Sequence, residues 1–335
     1  MKLESKKLGT FDKKEIIQYR LSNKNNVEIL MLNIGATIQA IHLPLKTGKR
    51  NIVLGFENYL DYISEEYLND CPNFGAAIGR VAGRIEKGEL YLKDKKYQLT
   101  CNHGKHQLHG GNIGFNQRVW ERDESNKDCL SLKYISPDGE ENFPNELTSY
   151  ANFNLTEDNR LEIEYIGISE NDTAINITNH SYFNLSNDKT ILDHTLQMNI
   201  NSYLEMNEEL IHTGKKTELP KRLDFREEKS IIKDMGEHGY DHTYYTGEEN
   251  MQIKKIARLS SPNKDISLDI STNQSHVQVY AGEFINTKEY GNYSGIAFEP
   301  QAQPYLKPLD DYTNIVYNKN KQFNNKIILE FIITA

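Results

Sequence analysis

No stretch of this 335-residue chain is apolar for long enough to cross a bilayer, and its opening "MKLESKKLGTF" lacks the hydrophobic core of a secretion signal. Membrane association drops out, and a cytoplasmic location is expected. Cysteine is scarce. Cys71, Cys101 and Cys129 lie far apart with no C-x-x-C, which excludes a disulfide framework and suits a reducing compartment. Positive charge is in deficit too: Lys plus Arg is 39 against 48 for Asp plus Glu, a formal net charge of −9. That balance argues against nucleic acid as a partner. Amphipathic helices are few, and "FENYLDYISEEYLND" (56–70) is the best candidate. Internal repeats, low-complexity tracts and Pro/Gly/Ser linkers are missing as well, so a single domain over 1–335 is expected.

What the chain does have is a rhythm of two. "LSLKY" puts Leu130, Leu132 and Tyr134 on one face, "LEIEYIG" does so with Leu161, Ile163 and Tyr165, and "DISLDIS" with Ile266, Leu268 and Ile270. In "HVQVYAG", Val277, Val279 and Ala281 point inward, which sends His276, Gln278 and Tyr280 the other way. "ELYLKDKKYQLT" reads as a hairpin with the polar run Lys93–Lys96 at its turn. Many short strands and polar turns predict an all-β protein, a large sandwich with few short helices. Twenty tyrosines suit half-buried strands and amphipathic ligand surfaces.

Several stretches carry candidate chemistry, each with two readings. "TNHSYFNLS" sets His180 among amides and aromatic rings, as an acid or as one polar residue on a strand edge. "HGKHQLHGG" spaces His103, His106 and His109 by three, which invites zinc, but the glycines argue for a loop and no fourth ligand follows at a zinc spacing. "GGNIGFNQ" lacks the Lys-Ser/Thr of a phosphate loop, so its glycines are read as tight turns beside a site. "GRVAGRIEKG" offers Arg80 and Arg84, as hydroxyl-binding forks or surface ion pairs. Asp241 in "GYDHTYY" is a turn residue or a hydroxyl acceptor. Glu299 in "GIAFEPQAQP" is a partly desolvated carboxylate or the first polar residue of a loop. Two histidines, two acids, an arginine and amides, without a nucleophile or a cofactor loop, suit proton transfer on a polyhydroxylated substrate.

In this order the motifs resemble the aldose 1-epimerase (galactose mutarotase) family. The matching stretches are "GRVAGRIEKGEL" (79–90), "LHGGNIGFNQRVWE" (108–121), "SPDGEENFPNEL" (136–147), "ITNHSYFNL" (177–185), "GYDHTYY" (239–245), "VQVYAGEF" (277–284) and "GIAFEPQAQP" (295–304). The resemblance implies a galactose mutarotase-like β-sandwich and cofactor-free, metal-free exchange of α and β anomers of hexoses such as galactose and glucose. It carries the general acid onto His180, the general base onto Glu299 and a second active-site histidine onto His109. The substrate contacts fall on Arg84, Asp241 and Gln278. Three positions depart from the family pattern. Gly83 replaces the usual Asn before the arginine, His212 stands for proline in "IHTG", and Tyr305 follows the E-x-Q-x-x-P motif where Asp is usual.

The resemblance implies a monosaccharide as the partner, and the expected state is a monomer or homodimer. Opening a hemiacetal needs a base for the C1 hydroxyl and an acid for the ring oxygen O5. A carboxylate beside His180 favours the charged imidazole, so ionised Glu299 and protonated His180 are expected near pH 7. The competing readings are an epimerase of a disaccharide or sugar phosphate, a non-catalytic sugar-binding protein, and a zinc hydrolase built on His103, His106 and His109.

Overall fold

The computed structural model describes residues 1–70, 72–236, 239–248, 252–306 and 315–334. Its first element is a five-stranded antiparallel meander, Lys2–Phe11, Lys14–Ser22, Glu28–Leu32, Thr37–Leu45 and Gly48–Asn51. The first hairpin turns on Asp12 and Lys13, both left-handed at φ 47° and 62°, as a two-residue turn between right-twisted strands requires.

A nine-stranded sheet forms the large layer. Two of its consecutive strands, Leu147–Leu155 and Arg160–Ile168, alternate buried and half-buried residues, with Leu161, Ile163 and Tyr165 buried on one face as expected. Leu130–Ser136 instead buries Leu130, Ser131 and Leu132 in succession and leaves Tyr134 half-buried. The final strand Phe323–Ile333 seats between Arg160–Ile168 and Ile266–Thr272, so the end of the chain joins its two halves. Each fully buried Leu or Ile on this face contributes about 1.5–3 kcal/mol. A one-residue slip would turn all of them to solvent, so the alternation also fixes register.

The six-stranded sheet carries the cleft. Its order is Tyr182–Phe183, Ile296–Gln301, His276–Tyr280, Asp241–Tyr245, Ser202–Met206 and His212–Glu218. Val277 and Val279 face the main core while Gln278 and Tyr280 face the opposite way, as the sequence predicts. The helical candidate 56–70 appears as a 3₁₀ turn at Tyr59–Ile63 followed by a short α-helix at Glu65–Asp70. It covers an aromatic cluster in which Phe74 meets Tyr182 edge-on at 5.6 Å. The hairpin of Glu89–Leu92 with Lys95–Gln98 forms, but its turn is only Lys93 and Asp94. Lys95 and Lys96 already belong to the second strand, because a two-residue turn suffices to reverse an antiparallel pair. Among the described residues no helix is long and apolar enough to cross a membrane.

Candidate active site

His180 lies in the two-residue interval between two very short strands. Thr178–Asn179 pairs with Ala77–Ile78, and Tyr182–Phe183 pairs with Ile296–Ala297 on the six-stranded sheet. Asn179 donates to the Gly75 carbonyl at 2.8 Å, and the His180 backbone N–H donates to the Ala76 carbonyl at 2.9 Å. The crossing is therefore held by hydrogen bonds on both sides of the imidazole. Glu299 sits inside the strand Ile296–Gln301, not in a loop, and is buried. Its Oε1 lies 3.4 Å from His180 Nε2.

His109 completes the floor of the cleft, with its ring edge-on to His180 at 5.6 Å. The backbone brings it there through the short pairing of Leu108 with Arg84. The Gly83 N–H donates to His109 Nδ1 at 3.2 Å, so the neutral ring carries its hydrogen on Nε2. The glycines that follow are tight turns, as the sequence predicts. A side chain at Gly110 would place Cβ 1.9 Å from the Gly79 carbonyl oxygen.

The two arginines separate completely. Arg80 is buried, and its guanidinium donates to Ser136 Oγ and to the carbonyls of Ser136, Pro137, Pro144 and Asn145 at 2.7–3.2 Å. It clamps a loop. Arg84 lines the cleft together with His109, His180, Asp241, Gln278 and Glu299, within a volume of about 330 Å³. Asp241, first residue of its strand, accepts a hydrogen bond from Gln278 Nε2. The residues assigned by resemblance thus converge from six separate segments of chain.

The cleft also holds residues that motif reasoning passed over. Tyr182 stacks at 4.9 Å on His180, and the Tyr280 ring lies 6.0 Å from Tyr182. His212 lines the cleft as well, and its Nε2 lies 2.9 Å from the hydroxyl of Thr243, which is buried behind the cleft wall and donates to Gln278 Oε1. The alternation in "DHTYY" could have flagged Thr243, since it shares a face with Asp241. Tyr305 departs from expectation. It does not line the cleft; its ring is buried in the main core and its hydroxyl accepts the Tyr91 backbone N–H at 2.9 Å. An aromatic of that size gains more from core burial than from the cleft rim.

Burial dominates the electrostatics. It pushes the Glu299 carboxyl up to about 8, with Asp241 adding to the rise and Arg84 opposing it. It pushes the His180 imidazole down to about 4. Burial also raises Asp241, against the pull of Arg84 and Gln278, and lowers His109 well below the ordinary histidine range. The expectation of ionised Glu299 beside protonated His180 is therefore corrected. Their 3.4 Å contact would suit an ion pair, but desolvating two charges outweighs their attraction, so the neutral pair prevails. Either distribution holds one proton on the pair.

The three histidines of "HGKHQLHGG" do not converge. His103 lines the cleft rim, while His106 Nδ1 accepts the Lys87 N–H at 3.1 Å and its Nε2 faces Glu209 at 3.6 Å. Among the described residues, the one group of donor atoms close enough to share a cation is His109, His180 and Glu299, mutually within 4.8 Å.

Residues 18–330 match the family model described as aldose 1-epimerase. An aldose 1-epimerase of Haemophilus influenzae is 34% identical over 302 residues, covering 85% of this chain and 86% of its own length. A galactose mutarotase of Rattus norvegicus is 31% identical, covering 93% of this chain and 92% of its own. Among solved structures, a galactose 1-epimerase from Lactobacillus acidophilus superposes with a TM-score of 0.86 at 28% identity, over 100% of this chain and 99% of its own.

Proposed function

From the premise that the chain belongs to the aldose 1-epimerase family, we propose that its cleft opens and recloses the ring of a free hexose such as galactose or glucose. The enzyme is an isomerase that exchanges the α and β anomers of an aldose. Glu299 takes the proton of the C1 hydroxyl, the C1–O5 bond breaks with its electrons moving to O5, and His180 delivers its Nε2 proton there. The aldehyde turns about C1–C2 and closes on either face by the reverse transfers. His109 Nε2–H donates to the oxygen on which charge develops. Arg84, Asp241 and Gln278 hold the remaining hydroxyls, and the Gly83 N–H fixes the His109 tautomer. Positioned acids and bases typically contribute about 10²–10⁴ each in rate, so this pair suffices without a cofactor.

The buried 3.4 Å contact of His180 with Glu299 on the cleft floor carries the reading. A sugar-binding protein has no need of a proton-sharing pair. Arg84 is the only lysine or arginine lining the cleft among the described residues, which favours an uncharged sugar over a sugar phosphate. The cleft volume stands at the small end of ligand pockets, which favours a monosaccharide. The cytoplasm, with free Cys101 and Cys129, is the proposed setting, and the chain works as one unit over 1–335. Polarimetry on freshly dissolved glucose, galactose, a disaccharide and a hexose phosphate tests this. Acceleration of the free hexoses above the spontaneous rate is expected; none, or a preference for the phosphate, refutes it.

A further inference from the structure

One line of hydrogen bonds crosses the cleft wall and ends on the Asp241 carboxylate. Gln278 Nε2 donates to Asp241 Oδ1, and Thr243 Oγ1 donates to Gln278 Oε1. His212, which itself lines the cleft, places its Nε2 2.9 Å from the same hydroxyl. Local geometry permits that reach. The strand Ser202–Met206 pairs with Asp241–Tyr245 only at Ser202 and Tyr203, and then continues toward His212, its partner at Met206. Past Tyr203 the ladder no longer separates His212 from Thr243.

The polarity of the line is fixed. A carboxylate accepts only, so Gln278 must turn its amide nitrogen toward Asp241 and its oxygen toward Thr243. The single hydroxyl hydrogen of Thr243 is then committed to that oxygen, which leaves the Thr243 oxygen free only to accept. His212 must supply the hydrogen, from Nε2. Every donor points the same way, toward Asp241. Flipping the amide would set oxygen against carboxylate and break the line at two places. Thr243 is completely buried, so water cannot replace either partner.

We propose that His212 and Thr243 are positioning residues: through the Gln278 amide they fix how Asp241 and Gln278 together face the sugar. The end of the sugar they meet is a hydroxyl that donates to the free oxygen of Asp241 and accepts from the remaining N–H of Gln278. This inference rests on the sugar-binding role proposed for Asp241. Because His212 and Thr243 touch neither C1 nor O5 in this scheme, they govern binding and the choice among sugars differing at that hydroxyl.

The test is steady-state polarimetry on glucose and galactose with Thr243→Val, Thr243→Ser, His212→Leu, His212→Gln and the Thr243→Val/His212→Leu double variant, with thermal melts as folding controls. Thr243→Val and His212→Leu should each raise KM by about three- to tenfold, with kcat changed less than about twofold, as loss of one neutral hydrogen bond implies. Thr243→Ser and His212→Gln, which keep the hydroxyl and a donor nitrogen, should restore KM to within about twofold. The double variant should be no worse than Thr243→Val alone, because the two residues act through one line. Unchanged KM in both disrupting variants, or multiplied losses in the double, overturns the proposal. If Thr243→Val does not fold, His212→Leu against His212→Gln decides. Asp241→Asn separates the two readings. If it leaves kcat/KM intact, the sugar-binding role itself fails; if it cripples the enzyme while the disrupting variants do not, only the relay fails.

Discussion

The pH dependence of kcat/KM tests the buried pair most directly, because it reports the free enzyme. In the proposed mechanism, turnover needs one proton on the pair. Below about 4, His180 and Glu299 are both protonated and no base remains. Above about 8 the pair has lost its only proton and nothing is left for O5. The expected profile is a plateau from about pH 4 to 8 with a tenfold fall per unit beyond each limb. Unperturbed groups would give a much narrower plateau, from about 4.3 to 6.5. The difference is largest on the alkaline side. At pH 7.5 a group with pKa 6.5 retains about one tenth of its protonated form, whereas a pair titrating at about 8 retains about three quarters. Polarimetry from pH 3 to 10, with the buffer-catalysed rate subtracted at each point, measures it. An alkaline limb at 6.5, or none by pH 10, would refute the claim that burial governs this pair.

Four further outcomes are expected. Glu299→Gln and His180→Asn should each lower kcat by about 10²–10⁴ while sugar binding persists by calorimetry, and the double variant should cost far less than the product because both act on one step. Gly83→Asn should fold, since a Cβ there meets nothing within 4 Å and Asn tolerates the φ of 81°, and should alter glucose-to-galactose selectivity by about two- to tenfold. Arg80→Met should lose more than about 3 kcal/mol by urea denaturation, since it removes a buried guanidinium and the hydrogen bonds it gives to buried and part-buried carbonyls, whereas Arg84→Met should keep stability within about 1 kcal/mol, raise KM and lower kcat. Mutarotation should also survive exhaustive chelation; activity lost to chelator and restored by zinc would assign a metal role to His109, His180 and Glu299.

The fold was legible wherever strands are long enough to show their period. Arg160–Ile168 alternates buried and half-buried residues along all its length, and "LEIEYIG" announces that directly. Thr178–Asn179 and Tyr182–Phe183 are two residues each, too short for any period, so no pattern could show that the chain changes sheets at His180. The arginines mark the same limit. Arg80 and Arg84 share one glycine-rich motif, and what separates them is a ring of carbonyls from residues 136–145, more than fifty positions away. Tyr305 occupies a motif position next to the site, yet the backbone turns its side chain toward Tyr91 and the core. Ordered motifs named residues that the structure gathers in one cleft; which of their neighbours face that cleft depends on strand direction, which the motifs do not encode.

Protonation was the least legible property, because it depends on depth, and depth is a property of the assembled sheets. The consequence reaches the chemistry. In the proposed mechanism, ring opening brings a proton onto Glu299 and takes one from His180, which turns an ion pair into a neutral pair. In water the charged pair would be well solvated and this conversion would gain nothing. In the buried site the same conversion removes two desolvated charges, so the surroundings that raise Glu299 and lower His180 favour the opened sugar over the closed one. The closed sugar must first be bound by the charged distribution. Arg84 helps here, since it draws the Glu299 carboxyl down, and a C1 hydroxyl donating to that carboxylate adds to the pull. With O5 accepting from His180 Nε2–H, the proton need only cross the 3.4 Å gap from Glu299 to His180. In this proposal binding stabilises the charged pair and bond breaking discharges it, so Arg84 would belong to the acid–base machinery as much as to recognition.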